Sequence, residues 1–356
     1  MSATQQSVQE HIPLRHPRLP RWAPVLVGVA SLALSGILSL ALGWHVVPWV
    51  IVALLLYVLI LPGWSRVVEN PRAAKDRLMT SLVWASLGIA LVPLVSLLYK
   101  VVAKGLPQID GNFMTYSMRN IVGPGGGVYH AIIGTLLITL AATIVSVPIG
   151  LLTSIYLVEY GSRSRIASWI RFLVDVMTGI PSIVAGLFAY ALFVLITGTE
   201  GIHLGFGGSI ALSLLMVPIV VRSAEEMLKL VPGDLREASY ALGVPKWLTI
   251  VRVVLPTALP GIVTGVTLAI ARVIGETAPL LIIAGFTDSV NTNLFGNAPM
   301  ETLPVFIYYS YTQPGVDASV GQNYAWGAAL VLIVIVMVLN VGARLLGRLF
   351  SPKSGH

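Results

Sequence analysis

Long uncharged apolar runs alternate with short polar stretches along the whole chain. Eight apolar segments stand out, at roughly 24–43, 48–63, 80–99, 131–158, 172–197, 209–222, 257–286 and 324–347. A membrane span needs about 17–25 residues. Lipid offers no hydrogen-bond partners to the backbone, so each segment is predicted helical. The second and sixth are short for a span, and the seventh is too long to be straight and wholly in lipid. The pattern predicts an all-α, polytopic membrane protein of about eight transmembrane helices, opening with a hairpin of two.

Composition agrees with that reading. Charged residues make up 10% of the chain and hydrophobic ones 56%, against about 25% charged in a soluble domain. There is no cysteine, which excludes disulfides, thiolate metal sites and cysteine nucleophiles. No small-residue cleavage pattern follows the first apolar run, and the run is as long as a full span, so it reads as a retained helix. The net charge is +7, and its distribution carries more information than its sum. With the N-terminus placed inside, alternate segments hold Arg15, Arg18, Arg21; Arg66, Arg72, Lys75, Arg77; Arg163, Arg165, Arg171; Arg222, Lys229, Arg236, Lys246, Arg252; and Arg344, Arg348, Lys353. The opposite segments hold only Lys100, Lys104 and Arg119. This asymmetry predicts both termini in the cytoplasm and gives the basic residues no reason to meet nucleic acid.

Several motifs then stand out. The stretch Gly123–Gly127 reads GPGGG, either a flexible loop or a cradle of backbone N–H groups for an anion. No GxxxxGK[ST] occurs, so any ATP hydrolysis belongs to another polypeptide. Pro148 in the fourth span, and Gly179, Pro181 and Ser182 in the fifth, predict helix breaks that either line a solute path or kink for packing. Asp175 lies four residues after Arg171, a spacing for a local ion pair. The six histidines, His11, His16, His45, His130, His203 and His356, are scattered outside the apolar spans or at their edges, and no constellation of metal ligands or of nucleophile and base is legible.

The segment 223–256 is polar and punctuated. Asp234 and Glu237 have capping-box spacing, Gly243 suits a left-handed C-terminal position, and Pro245 opens a second helix. Pro256 marks the return to the membrane. The outcome is a small knob. Leu235, Ala238, Tyr240 and Leu242 are placed to enter a partner's groove, with Arg236 and Glu237 at the rim. In the next span, Arg272 and Glu276 are four apart, on one helical face. An ionised group at mid-membrane costs about 2.5–3.5 kcal/mol. The pair is either a structural lock or the charged part of an anion path. Gly261, Gly265, Gly275 and Pro279 allow close approach beside it. Phe306, Tyr308, Tyr309 and Tyr311 suit an interfacial helix or a surface for a binding protein.

Glu237-Ala238-Ser239, Gly243 and Leu255-Pro256 follow the spacing EAA–x3–G–x9–I–x–LP, with Ser239 for the second alanine and Val253 for isoleucine. This resembles the signature of binding-protein-dependent, MetI-like ABC importer permeases. The stretches Arg272–Leu280 and Gly179–Gly186, together with Thr302-Leu303-Pro304-Val305, resemble the PstA family of phosphate-specific permeases over about 134–342. The resemblance implies an importer in the bacterial plasma membrane with a second, PstC-like permease chain, a PstB-like ATPase dimer and a PstS-like phosphate-binding protein. It implies ATPase coupling through Glu237, Ala238, Gly243, Leu255 and Pro256, and a phosphate path at Arg272, Glu276 and Thr277 lined by the breaks at Pro148, Gly179, Pro181 and Ser182. It implies no cofactor and no catalytic residue. The expected organisation is 1–79 as N-terminus, hairpin and basic linker, 80–130 as first core helix and outer loop, 131–348 as permease core with coupling loop 223–256, and 349–356 as tail. A sulfate or molybdate importer of the same architecture, and a stand-alone secondary anion transporter, are the alternatives.

Overall fold

The computed structural model describes residues 18–121, 123–161 and 164–349. Arg15, Arg163, Lys353 and the tail from 350 lie outside the described residues. The chain divides into two compact units at Lys100.

The first unit is built on α1 (Ala23–Leu42) and α2 (Val46–Val68). On α1 the buried positions are Ala23, Val27, Ser31, Ser35 and Ser39, one every fourth residue. That stripe of small side chains lets α2 approach closely. Trp49 crosses the gap, its indole donating to the Leu32 carbonyl at 3.0 Å. The next helix, α3 (Pro71–Gly105), starts after only Glu69 and Asn70, so the segment read as a basic linker is almost wholly helical. Glu69 fastens the turn. It accepts from the Leu19 amide, the Ser65 hydroxyl and the Arg77 guanidinium, and Arg77 holds its carboxyl down to about 2.

The second unit begins with the last turn of α3 and a short α4 (Gly111–Thr115), capped by Asp110. Its centre is α5 (Tyr129–Ile155) against α8 (Gly205–Lys229), with α11 (Leu255–Val273) closing the core. Ile138, Ala142, Leu212, Met216, Val220, Ala269 and Val273 form that core. A β-carbon at Gly150 would lie 2.6 Å from Val220 Cγ1, so only glycine permits this crossing. Between α5 and α8 lie α6 (Arg165–Thr178) and α7 (Ser182–Thr197). After α8 come α9 (Gly233–Ala241) and α10 (Lys246–Thr249); after α11 come α12 (Ala278–Ile283), α13 (Leu303–Thr312) and α14 (Ala318–Leu349). Among the described residues, seven helices are long and apolar enough to cross a membrane, and α6 with α7 makes an eighth if the bent pair counts as one.

The structure redraws several predicted elements. Pro148 breaks nothing: α5 is helical through it, its lost hydrogen bond being tolerated within a packed bundle. Gly179–Pro181 do break the chain, and α6 and α7 meet at 108°. The fifth apolar segment is therefore two helices. The sixth is longer than its apolar run, because α8 continues through Arg222, Glu225 and Lys229. The seventh stops at Val273 and resumes at Ala278, so Arg272 and Glu276 do not share one helical face; Glu276 sits in the gap. Helical structure also runs from Lys246 to Val273 as one piece, so Leu255 and Pro256 lie within a helix rather than at its entry. Pro256 would clash with the carbonyl four residues back, and that residue, Arg252, lies in a π-helical turn, Ile250–Val254, which widens the helix there.

Candidate functional site

Two groupings in the second unit carry the predicted site residues. The first is the knob. Pro232, not Asp234, takes the cap position of α9, and Asp234 falls in the first turn, where its charge still suits the helix N-terminus. Gly243 has φ +77°, the left-handed conformation that glycine adopts without penalty. Its amide donates to the Tyr240 carbonyl and that of Val244 to Ser239, which closes the helix end. The Ser239 and Thr249 hydroxyls meet at 2.8 Å and fix α9 on the following helix.

Arg236 is not at the rim. It donates to Glu159 Oε1 at 2.9 and 3.1 Å and to the carbonyls of Leu228 and Val231, bolting the knob to the end of α5. Lys246 adds a bond to the Glu159 carbonyl and lies over the Tyr160 ring. What remains outward is Glu237, Ala238, Leu235, Tyr240, Leu242 and Trp247, the last two 84% and 60% exposed. Burying side chains of this size is worth about 1.5–3 kcal/mol each, so this surface gains from a partner.

The second grouping surrounds Arg272. A pocket of 160 Å³ is lined by Arg272, Glu276, Thr178, Ser182, Met177, Ile180, Leu215, Pro218 and Ile219. The break between α6 and α7 thus reaches the same place as the break after α11. Ser182 opens α7, so the positive end of a 16-residue helix borders the pocket. Among the described residues Arg272 makes no ion pair, with Glu276 or any other carboxylate. A guanidinium, a hydroxyl and a helix N-terminus around an open pocket can hold an oxyanion. Of the other predicted residues, Thr277 precedes α12, Gly179 and Pro181 shape the bend, and Pro148 is not among the lining residues. A β-carbon at Gly186 would lie 2.6 Å from Pro279 Cα, so α7 and α12 touch backbone to backbone beside the pocket.

The glycine cluster is neither a loose loop nor an anion cradle. The Gly125 and Gly126 amides both donate to the Tyr324 hydroxyl, at 2.8 and 3.1 Å. Gly123 borders a pocket lined also by Asp288 and Asp317, the wrong sign for an anion.

Besides Glu159, sequence reasoning missed two further buried acids. Arg171 does not pair with Asp175. It reaches Glu225 at 3.0 Å and the Leu157 carbonyl, while Asp175 pairs with Arg222. Glu225 also contacts Arg222 and Lys229; its spacing from those two was a readable signal, but Arg171 comes from another helix. The other acid is Glu301, 3.1 Å from His130 and fully buried, a pairing between residues 171 apart in sequence that no local pattern announces.

Residues 146–356 match the family of binding-protein-dependent transport system inner membrane components. The chain is 47% identical over 279 residues to phosphate transport system permease protein PstA 1 of Mycobacterium tuberculosis H37Rv, covering 77% of this chain and 88% of that one. It is 47% identical over 280 residues to PstA of Mycobacterium leprae, 78% and 90% of the two chains. With PstA of Yersinia pestis it shares 41% over 275 residues, 77% and 90%. Among solved structures, a chain of the inward-facing MetNI methionine ABC transporter aligns with TM-score 0.51 at 20% identity, over 68% of this chain and 100% of that one. That likeness concerns fold alone.

Proposed function

The chain belongs to the binding-protein-dependent transport permeases, and from that membership we propose that it is the transmembrane permease subunit of an ATP-driven ABC importer of inorganic phosphate. It is a multi-pass inner-membrane protein and carries no catalytic site of its own. The observation that supports phosphate most directly is the unpaired Arg272 guanidinium in a pocket shared with Glu276 and Ser182.

In this reading the outward apolar face of α9, with Glu237, Ala238 and Gly243, docks into a PstB-like ATPase on the cytoplasmic side. A PstC-like second chain completes the path, and a PstS-like binding protein delivers phosphate at the opposite face. Both termini lie in the cytoplasm. Closure of the ATPase dimer moves the knob. Arg236 and Lys246 transmit that movement to α5 through Glu159, and the Ser239–Thr249 contact transmits it to α11 and so to Arg272. Leu255 and Pro256 lie in that transmitting helix. Thr277 and the bend at Gly179–Pro181 set the width of the pocket, which opens alternately to each side.

The test is ATP-driven uptake of radiolabelled phosphate by proteoliposomes holding all four components. Arg272→Gln abolishes uptake while the ATPase still co-purifies. Gly243→Asp loses the ATPase from the complex. Uptake surviving in Arg272→Gln overturns the path assignment, and an intact complex with Gly243→Asp overturns the coupling assignment. Competition by sulfate or molybdate at equal concentration would reassign the solute.

A further inference from the structure

Glu301 has no place in the mechanism above, yet its side chain is 0% exposed. It belongs to the segment joining α12 to α13. That segment lies on the first turns of α5: a β-carbon at Gly134 would fall 1.9 Å from the Glu301 carbonyl oxygen, and the Leu303 amide donates to Thr135 Oγ1 at 2.8 Å. His130, on the same turn of α5, places Nε2 3.1 Å from Glu301 Oε2, and Phe306 meets the His130 ring edge-on at 5.5 Å. No lysine or arginine approaches Glu301 among the described residues. Glu301 Oε1, His130 Nδ1 and Thr302 Oγ1 are buried without hydrogen-bond partners. The other titratable groups around the segment are Asp288, whose negative charge acts on Glu301, and His203, which lies against Gly285 and whose amide donates to Asn297 Oδ1.

An ionised carboxylate in such a place, beside a second acid and without a cation, is far costlier than a neutral one. We propose that Glu301 and His130 form a buried one-proton site, with Glu301 held as the neutral acid donating to His130 Nε2, which fastens the 284–302 segment to α5. Burial, and then Asp288, push the Glu301 carboxyl up to about 9, with the Thr287 amide acting weakly the other way. The fastening reaches the transport site. The Met300 amide donates to the Ala284 carbonyl at 2.9 Å, which ties the segment to the end of α12, and α12 begins directly after Glu276 and Thr277. Glu301 is thus a positioning residue for Glu276. That last link rests on the phosphate-path reading; the proton site itself does not.

The sign follows from proton counting. The folded chain keeps a proton that the unfolded chain releases above the ordinary carboxyl value of 4.5. The His130 imidazole, kept neutral in the folded site, takes up its own proton in the unfolded chain below about 6.5. Stability from this site is therefore greatest between 4.5 and about 6.5, declines as pH rises above that, and is gone above about 9.

The experiment uses the assembled importer in lipid nanodiscs, comparing wild type, Glu301→Gln, Glu301→Ala and Asp288→Asn at about pH 6 and about pH 8.5. In the wild type the thermal midpoint falls between the two. Glu301→Gln, which keeps a neutral donor, shows no such fall and stays within about twofold of wild-type uptake, whereas Glu301→Ala loses about tenfold. Asp288→Asn makes the fall smaller and ends it at lower pH, by stabilising the ionised form. Infrared spectra of the wild type at neutral pH carry the carbonyl stretch of a protonated carboxylic acid that Glu301→Gln lacks. The proposal is overturned if Glu301→Gln is as defective as Glu301→Ala, if its midpoint still falls with pH, or if that infrared band is absent. Normal infrared and thermal results in a protein that does not move phosphate would overturn the path reading alone.

Discussion

Glu225 and Glu301 are the same residue type, each 1% exposed, at opposite ends of one helix bundle. α8 separates them: its start is bonded to the 284–302 segment through Phe206 and Leu294, and its end carries Glu225. The 25 residues of that helix span about 37 Å at 1.5 Å per residue. Glu225 is met by Arg171, Arg222 and Lys229, three cations that keep their own edges toward solvent. Glu301 is met by one imidazole and stands near a second acid. Equal burial therefore meets opposite surroundings, cations at Glu225 and none at Glu301 among the described residues. The charged end ties together α6, α8 and the approach to the knob, where the proposed ATPase would pull. The neutral end is held by backbone contact and, in our proposal, a single proton.

The sharpest way to break this comparison is Glu225→Ala. It takes the carboxylate from Arg171 and Lys229, while Arg222 keeps Asp175, and we expect a loss of about 3 kcal/mol, read as a lower thermal midpoint in detergent. A cost no larger than that of Glu301→Gln would mean that the two acids are in equivalent states. Arg236→Met tests whether the charged end is a transmission. It removes four hydrogen bonds to Glu159 and two carbonyls. We expect a loss of about 2 kcal/mol, faster proteolysis between α8 and α10, and ATP hydrolysis without uptake; tight coupling retained would refute the role. At the neutral end, Gly134→Ala drives a methyl into the Glu301 carbonyl. Overpacking of this kind costs about 1–3 kcal/mol, and its effect on the thermal midpoint should be independent of salt, unlike changes at the charged end. Asp175→Asn is the mildest. Its pair with Arg222 is 55% and 37% exposed, so we expect at most about 0.5 kcal/mol, and a larger effect would show that α6 is held from that side.

The sequence alone determined the helical class and the approximate spans, because lipid leaves an apolar chain no other way to satisfy its backbone. It determined the knob as well. Gly243, Pro245 and the α9 residues are governed by local backbone rules, and the structure keeps them while shifting the cap from Asp234 to Pro232. The break at Gly179–Pro181 was legible for the same reason. Tertiary structure decided everything that depends on which cation meets which acid. Arg171 passes over Asp175 for Glu225, Arg236 turns inward to Glu159, and His130 finds Glu301, because buried charge is settled by partners distant in sequence rather than by spacing along one helix. Pro148 stayed helical where Ile274–Thr277 did not, since the packed faces around α5 hold it in place and the chain after α11 must turn to bring Glu276 to the pocket of Arg272 and Ser182.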